Sequence, residues 1–306
     1  MTITRGATPK QLIPGLNAVL GLSYGKIDGE HAALFDEYKS DRSFEIETMM
    51  SGLGDPFVKQ EGAAVLYDDM QETFSATYIH QTVALAFAIT EEAMEDNLYE
   101  SKSRMRAESL GRSMANFKQQ TAADVFNLGF STTQLGGDGV VLFSTAHPTV
   151  AGNQSNLETA ADIAETTLET ALINAALTKD ERGILIGANV KSLHIPVNLR
   201  FAAFRILKAD RSTTLGGSSA TNVNDPNAIK QLGMFPGGMH INHRFVDQDA
   251  WFLRLDIPNG TKYFVRAPLA TSNEGDFDTG NMRFKARERY SFGWSDWRQY
   301  RGNAGT

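Results

Sequence analysis

The sequence has no cysteine among its 306 residues. This excludes disulfides, thiolate catalysis and cysteine-based zinc or iron-sulfur sites. It also has no run of eighteen apolar residues, the length that a membrane-spanning helix needs, and residues 1–11 contain no apolar segment of signal-peptide length. We therefore expect a folded, soluble, cytoplasmic protein that is held together by non-covalent contacts.

An excess of positive charge is also lacking, since the formal net charge is -7. Proteins dedicated to nucleic acid gain affinity mainly from lysine and arginine, so this class is disfavoured. The exception is residues 283–301, which are locally basic. The sequence favours a solvated strand face there, or one paired with carboxylates of a neighbouring subunit, over specific contact with DNA.

A long alternating pattern dominates the C-terminal end. From Met282 to Ser295 one set of alternate positions is largely apolar and the other is largely basic. Because side chains alternate across a strand, the pattern predicts one strand of about fourteen residues with an apolar and a basic face. A strand of that length needs an equally long partner.

Residues 91–128 supply such a partner. Thr90 can cap a helix, Glu91 and Glu92 suit its positive N-terminal end, no proline interrupts it, and Gly129 follows as a stop. The predicted helix is a strut about 55 Å long at about 1.5 Å per residue. The alternative is two ordinary helices broken near Gly111. The predicted packing stripe comprises Met94, Leu98, Met105, Leu110, Met114, Phe117, Ala122, Val125 and Leu128.

The first ninety residues predict elements that need neighbours. Glycines and prolines in residues 1–30 indicate an extended arm. Alternation within residues 74–89, after a glycine-rich stretch in 44–66, indicates a long two-stranded excursion that leads into the helix. A two-stranded ribbon alone is marginal in water, so it requires packing from elsewhere.

Residues 131–275 are predicted to form an inserted α/β unit. Residues 163–177 and 197–208 indicate helices, the second packed through Leu199, Phe201, Phe204 and Leu207. Residues 184–186 and 193–195 indicate short buried strands, and 212–227 a mobile loop. Strands return at 240–246, 251–257 and 262–267, with a hairpin turn at 258–260 joining the last two.

A search for catalytic groups finds none that is convincing. His240 and His243 would point to opposite faces of a strand, which disfavours a metal site. His147 follows Ser144 in a proline-stiffened stretch without a nucleophile-elbow motif, which indicates a turn. Residues 136–139 lack the lysine of a phosphate loop and also indicate a turn. We expect no enzyme activity, no cofactor and no metal.

The order of arm, excursion, strut, inserted unit and returning strand resembles the major capsid protein of tailed double-stranded DNA bacteriophages. This is the Hong Kong 97-type fold, of class α+β, and the Mu-like major head subunits are the most similar group. The stretches that carry the resemblance are 61–70 (EGAAVLYDDM), 89–99 (ITEEAMEDNLY), 143–148 (FSTAHP) and 286–297 (ARERYSFGWSDW).

The resemblance implies an N-terminal arm and an extended β loop that overlaps the adjacent subunit. It also implies a peripheral domain built on a spine helix, and an axial domain that meets its copies around the five-fold and six-fold centres. The corresponding ranges are 1–43 for the arm, 44–80 for the extended loop, 81–130 and 276–306 for the peripheral domain, and 131–275 for the axial domain.

The resemblance also assigns residues to these roles. Expected intersubunit contacts in the extended loop are Phe57, Lys59, Glu61, Tyr67, Asp68 and Asp69. Expected packing residues between the spine helix and the returning strand are Leu110, Met114, Phe117, Phe284, Tyr290, Phe292 and Trp294.

The implied function is self-assembly of hexamers and pentamers into an icosahedral head in the host cytoplasm, around DNA that is not bound sequence-specifically. Portal, scaffolding and decoration proteins are the expected partners, and no membrane is involved. Some relatives carry a removable N-terminal segment, so this chain either lacks one or is a mature form. Lys59 has no assignable asparagine, so we predict no covalent crosslink. The alternatives are an encapsulin-like nanocompartment shell and a hydrolase that uses His147 or the pair His240 and His243.

Overall fold

The computed structural model describes residues 9–27, 29–90, 92, 99–211, 226–276 and 280–306. It confirms the α+β class. The helices are α1 (Pro9–Gly25), α2 (His31–Leu34), α3 (Tyr99–Asn127), α4 (Glu165–Ala176), α5 (Arg200–Lys208) and α6 (Ala228–Gln231). The strands are β1 (Asp36–Lys39), β2 (Phe44–Met50), β3 (Glu72–Ile79), β4 (Gln81–Ile89), β5 (Val190–Pro196), β6 (Met239–Asn242), β7 (Trp251–Leu255), β8 (Thr261–Gly275), β9 (Met282–Trp294) and β10 (Tyr300–Asn303).

The first sheet has four strands in the order β1-β8-β9-β4. Its central strand β9 confirms the predicted alternating strand and runs antiparallel to both neighbours. Phe284, Ala286 and Tyr290 are buried, whereas Arg283 and Lys285 on the other face are exposed. The sheet therefore has one apolar face and one basic face, as the alternation predicted.

Helix α3 lies on the apolar face. Its 29 residues extend about 43 Å at about 1.5 Å per residue. It is continuous through Gly111, so the alternative of two helices broken there is wrong. The glycine is needed because a Cβ at this position would lie 2.7 Å from the backbone oxygen of Leu20 in α1. Residues 91 and 93–98 of the predicted helix, with Met94 and Leu98, lie outside the described residues.

The N-terminal region differs from the predicted extended arm. Residues 9–25 form helix α1, which packs across α3 through Leu16 and Leu20. Burial of these leucines against Leu110 and Met114 outweighs the helix-weakening effect of glycine and proline. The apolar spacing of residues 16, 19 and 20 was the overlooked signal.

The second sheet has the order β10-β7-β5-β6 and packs against α4 and α5. Helix α4 confirms the prediction for 163–177. Residues 184–186 are not a buried strand, because Leu185 and Ile186 are exposed and only an isolated bridge forms there. Of the packing residues predicted for 197–208, Leu199 and Leu207 do pack against the buried cluster. The prediction was wrong for Phe201 and Phe204, which are exposed, and the fully buried residues of α5 are Ala203 and Ile206. Most of the predicted mobile loop, residues 212–225, lies outside the described residues.

The predicted hairpin at 258–260 is also wrong. Asn259 adopts a φ of 60°, as in a tight turn, but β7 belongs to the second sheet and β8 to the first. The chain thus crosses between sheets at this turn. Strand β10 likewise returns to the second sheet. The expected boundary between residues 275 and 276 therefore does not coincide with the division into sheets, since β8 lies before it in the first sheet and β10 after it in the second.

The expected packing residues fall into two buried clusters. Leu110, Met114 and Phe284 lie between α1, α3 and β9. Tyr290 and Trp294 lie in the large aromatic cluster at the other end of the sheet, with Phe292 partly buried against it. The expectation for Phe117 was wrong, because this residue is 48% exposed. Met105 and Leu128 of the predicted stripe are also exposed.

Candidate assembly surface

The ribbon of β2 and β3 forms a two-stranded excursion, as predicted, but the second alternating segment of the prediction belongs to β4 and lies in the first sheet. The strands are antiparallel, with Phe44 opposite Ile79 and Ile46 opposite Thr77. Ala76 and Tyr78 are buried, and they pack with Phe264 of the first sheet. Phe44, Ile46 and Ile79 are exposed on the other face. One face of the ribbon thus packs within its own chain, and the other face, which carries these apolar side chains, is exposed to solvent.

Polar contacts fix the base of the ribbon to the first sheet. The buried ammonium of Lys262 lies 2.6 Å from one carboxylate oxygen of Glu47 on β2. The hydroxyls of Tyr78 and Ser295 are 2.6 Å apart. Burial raises the pKa of Tyr78, so its hydroxyl stays protonated. These contacts set the direction in which the ribbon leaves the body.

Between the two strands lies the extended loop, residues 51–71, which contains no helix or strand. Its neck is closed by the backbone N–H of Ser51, which donates to the oxygen of Gln71 at 2.8 Å. The backbone N–H of Gly54 donates to Asp68 at 2.7 Å. The loop therefore has a definite shape although it lacks regular secondary structure.

Arg182 holds this loop to the second half of the molecule. Its guanidinium donates to the backbone oxygens of Gly52 and Asp69, and contacts the carboxylate of Asp68 at 3.2 Å. The hydrogen bond from Gly54, followed by the charge of Arg182, lowers the pKa of Asp68. We call this set of contacts the Arg182 clamp.

The exposed side chains of the extended loop are mainly apolar. They include Phe57, which is 78% exposed, and Val58 and Tyr67, which are each 97% exposed. The other exposed apolar residues of the loop are Leu53, Val65, Leu66 and Met70. Such a concentration on a projecting loop is typical of a protein interaction site.

The structure brings all six expected contact residues into this loop. Phe57, Lys59, Glu61, Tyr67 and Asp69 have exposed side chains that are available to a partner. Asp68 is also exposed, but its carboxylate is engaged within the chain by the clamp. Arg182 itself was missed by sequence reasoning, since it lies more than a hundred residues away and in no recognisable motif.

A second set of residues missed from the sequence fastens α1, α3 and β9 together. The ammonium of Lys118 lies 2.9 Å from the carboxylate of Glu288, and the hydroxyl of Tyr24 contacts both. Burial alone would lower the pKa of Lys118, but its contacts with Tyr263, Tyr24 and Glu288 outweigh burial and raise it. The charged form is therefore maintained inside the body.

The histidines weighed for catalysis are not gathered into one site. His147 is buried against Trp297, with Nδ1 2.6 Å from Asp138 and Nε2 3.1 Å from Asn156. Both of its ring nitrogens are thus engaged by groups that fix a turn. His240 stacks on His194, whereas His243 contacts Glu30. Over the residues described here, no group of three or more His, Cys, Asp or Glu is arranged to hold a metal.

Comparison with solved structures identifies the fold. The capsid of cyanophage P-SCSP1u is similar with a TM-score of 0.56 and 11% identity, over 89% of this chain and 86% of that chain. A virus-like particle from Pyrococcus furiosus is similar with a TM-score of 0.53 and 10% identity, over 94% and 97%. Mycobacterium phage Adephagia gives a TM-score of 0.52 and 12% identity, over 87% and 83%. The fold is the Hong Kong 97-type capsid fold.

Sequence comparison assigns the family. The model of the phage capsid protein family matches residues 75–300, which is most of the chain. The chain therefore belongs to the phage capsid protein family, and it is a major capsid protein of the virion. A comparison with curated protein sequences found no match. The finer assignment to the Mu-like group stays a prediction.

Proposed function

We propose that copies of this chain assemble as hexamers and pentamers into the icosahedral head of a tailed phage, with the extended loop of each copy lying over its neighbour. The observation that supports this most directly is the exposed apolar surface of residues 51–71. A projecting loop with Phe57, Val58 and Tyr67 in water is unfavourable for an isolated subunit, and burial against a second copy removes that cost.

The six expected contact residues act in this proposal as the contact surface of the loop. The first sheet, α3 and the ribbon base form the peripheral domain, and residues 131–257 with β10 form the axial domain. Relative to the expected ranges, this division assigns β8 to the peripheral domain and β10 to the axial domain, because each strand pairs in the sheet of that domain. The expected roles of the two domains are unchanged. The subunit works as a structural element without catalysis or a cofactor.

The proposed content is double-stranded DNA, held without sequence-specific contacts. A net charge of -7 suits a wall that contains DNA without gripping it, because many phosphate contacts would oppose both packaging and release. Portal and scaffolding proteins, and in some phages decoration proteins, complete the head, and assembly takes place in the host cytoplasm. Among the described residues no helix has both the length and the apolar character to cross a bilayer.

The test is electron microscopy with light-scattering mass on the protein expressed with and without its neighbouring genes. Closed shells or five- and six-membered rings support the proposal, and shells that appear only with the neighbours point to separate scaffolding. Deletion of residues 51–61 is expected to leave subunit folding intact and to prevent shell closure. A monomer or dimer under every condition contradicts the proposal.

The similarity to a virus-like particle makes the shell's content a necessary part of the test. Purified shells that contain a cargo protein in place of DNA would favour the encapsulin-like alternative. Recovery of DNA protected from nuclease supports the phage head.

A further inference from the structure

A single residue connects the ribbon to the first sheet on its β3 side. Strand β3 ends at Ile79 and β4 begins at Gln81, so His80 alone lies between a strand of the ribbon and a strand of the body. Its side chain is only 6% exposed. Any change in the angle between ribbon and body therefore passes through the backbone and the contacts of His80.

Both ring nitrogens of His80 are hydrogen-bonded to serines of other elements. Nδ1 lies 3.0 Å from the hydroxyl of Ser291 on β9, and Nε2 lies 2.9 Å from the hydroxyl of Ser40, which follows β1. The same Ser40 hydroxyl contacts Glu45 on β2 at 2.7 Å. The backbone N–H of Ser40 donates to the oxygen of Val265 on β8 at 3.1 Å. The ring thus joins both strands of the ribbon to the first sheet.

The hydrogen-bond network assigns the tautomer of the neutral ring. The hydroxyl of Ser40 donates its only proton to the carboxylate of Glu45, so it can only accept at Nε2. Nε2 therefore carries the ring proton, and Nδ1 accepts from the hydroxyl of Ser291. When Nδ1 gains a proton it becomes a donor, and the hydrogen bond from Ser291 must reverse.

The surroundings of the ring also favour its neutral form. Burial is the largest influence and lowers the pKa of His80. The positive charges of Arg289 on β9 and Arg266 on β8 lower this pKa further, whereas the carboxylate of Glu45 on β2 opposes them. The ring of Phe264, whose centroid lies 6.2 Å away, supplies no counter-charge. A second proton on the imidazole is therefore unfavourable while the junction is intact.

Two further contacts hold the base of the ribbon without a histidine. Lys262 pairs with Glu47 on β2, and the hydroxyl of Tyr78 on β3 bonds to that of Ser295. Protonation of an imidazole leaves both contacts in place. They give the ribbon a point about which it can pivot when the junction at His80 opens, so that it changes direction without separating from the body.

We propose that His80 is a proton-sensitive hinge: protonation of Nδ1 opens its junction with Ser291 and Ser40 and lets the ribbon change direction relative to the first sheet. The sign of the pH dependence follows from the lowered pKa of the folded chain. The contribution of the neutral ring is complete above the ordinary histidine pKa of about 6.5 and is lost as the pH falls below that value. The hinge belongs to the single subunit and does not require a shell.

The test uses nuclear magnetic resonance on the unassembled subunit. The ring of His80 should titrate below the ordinary histidine pKa. The amides of Ser40 and Arg42 report on the junction, because the first bonds to Val265 and the second to the hydroxyl of Ser40 at 3.1 Å. Their protection factors, in which intrinsic exchange is divided out, should fall by at least about threefold from about pH 7.5 to about pH 5. The amides of β7 in the second sheet are the internal reference.

Variants should change this pH dependence in opposite directions. Arg289→Gln removes a repelling charge, so the pKa of His80 should rise towards its ordinary value and the fall in protection should become smaller. Glu45→Gln removes the attracting charge and should make the fall larger. His80→Gln keeps a donor and an acceptor but cannot become charged, so it should abolish the dependence. His243→Gln is the matched control, since this histidine pairs with Glu30 and should not affect the ribbon.

Three results would overturn the hinge. One is a fall in protection that persists unchanged in His80→Gln, and another is an equal fall in Arg289→Gln and Glu45→Gln. The third is a fall at Ser40 that the reference amides of β7 match, since the whole subunit then loosens. If His80→Gln does not fold, the two charge variants decide the question, because both keep the histidine.

Discussion

The body around β9 and the extended loop both contain aromatic side chains, but those of the body are buried and those of the loop are exposed. In the body Trp294 and Tyr290 are almost fully buried, whereas Phe57 and Tyr67 of the loop remain in water. Aromatic side chains contribute to stability only where they are covered. The body is thus stabilised within one chain, whereas the aromatic side chains of the loop can contribute only when they are covered, which we propose happens against another copy.

The largest expected effect on the isolated subunit comes from Trp294→Ala. Trp294 is only 6% exposed within the aromatic cluster, so its loss should cost about 3 to 5 kcal/mol of unfolding free energy. Urea denaturation of the unassembled subunit measures this. An unchanged midpoint would remove Trp294 from the core and break the contrast with the loop.

A somewhat smaller loss is expected from Glu288→Gln. Removing one partner of a buried ion pair costs about 3 kcal/mol, the low end of the usual range, because Tyr24 still contacts the ammonium of Lys118. The matched control is Glu108→Gln, whose exposed pair with Arg104 should contribute less than about 0.5 kcal/mol. Equal losses in the two variants would show that the fastening of α1, α3 and β9 is not electrostatic.

For Tyr67→Ala the stability of the subunit should change by less than about 0.5 kcal/mol, since the side chain is exposed. Assembly should nevertheless fail or slow, because the residue packs only in the shell. Melting of the subunit and light scattering of the assembly reaction measure the two effects. Normal assembly rates would place the loop's partner surface elsewhere.

The smallest effect concerns the Arg182 clamp. Arg182→Ala should speed tryptic cleavage after Lys59 without changing the stability of the body, because only the loop loses its anchor. Lys179→Ala, in the same turn, is the control and should leave the cleavage rate unchanged.

The clamp also gives a pH dependence with a defined sign. The pKa of Asp68 is lowered in the folded chain, so its contribution is present above the ordinary carboxyl pKa and is lost as the pH falls through the lowered value. The protection factors of the amides of residues 52–70, which are exchange rates corrected for the pH dependence of intrinsic exchange, should therefore fall on acidification in the unaltered chain, and much less in Asp68→Asn.

Features with a local signal could be predicted from the sequence. Strand β9 followed from alternation, α3 from helical spacing, and the second strand of the ribbon, β3, from alternation that follows a glycine-rich stretch. The exposure of Phe117 could not be predicted, because it depends on which side of α3 the sheet covers. Helix α1 was missed because its glycines and prolines indicated an extended chain, whereas two buried leucines decide its structure.

The unpredicted part of the assembly surface is non-local. The Arg182 clamp joins residues 113 to 130 positions apart in sequence, and the base of the ribbon depends on Lys262 and Ser295. No spacing rule connects such positions. The hairpin at 258–260 failed for a related reason, since a turn signal does not reveal which sheet each flanking strand joins.

The last two crossings between the sheets have a mechanical consequence. The chain passes from β7 to β8 and returns from β9 to β10, and the two passages bond to each other: Ser295 N–H donates to the oxygen of Gly260, and Asp296 N–H to that of Asn259. A paired connection resists bending more than a single strand does. In a shell, subunits of one sequence meet at different angles. We therefore expect the two sheets to move together as a rigid unit and the extended loop to take up the distortion.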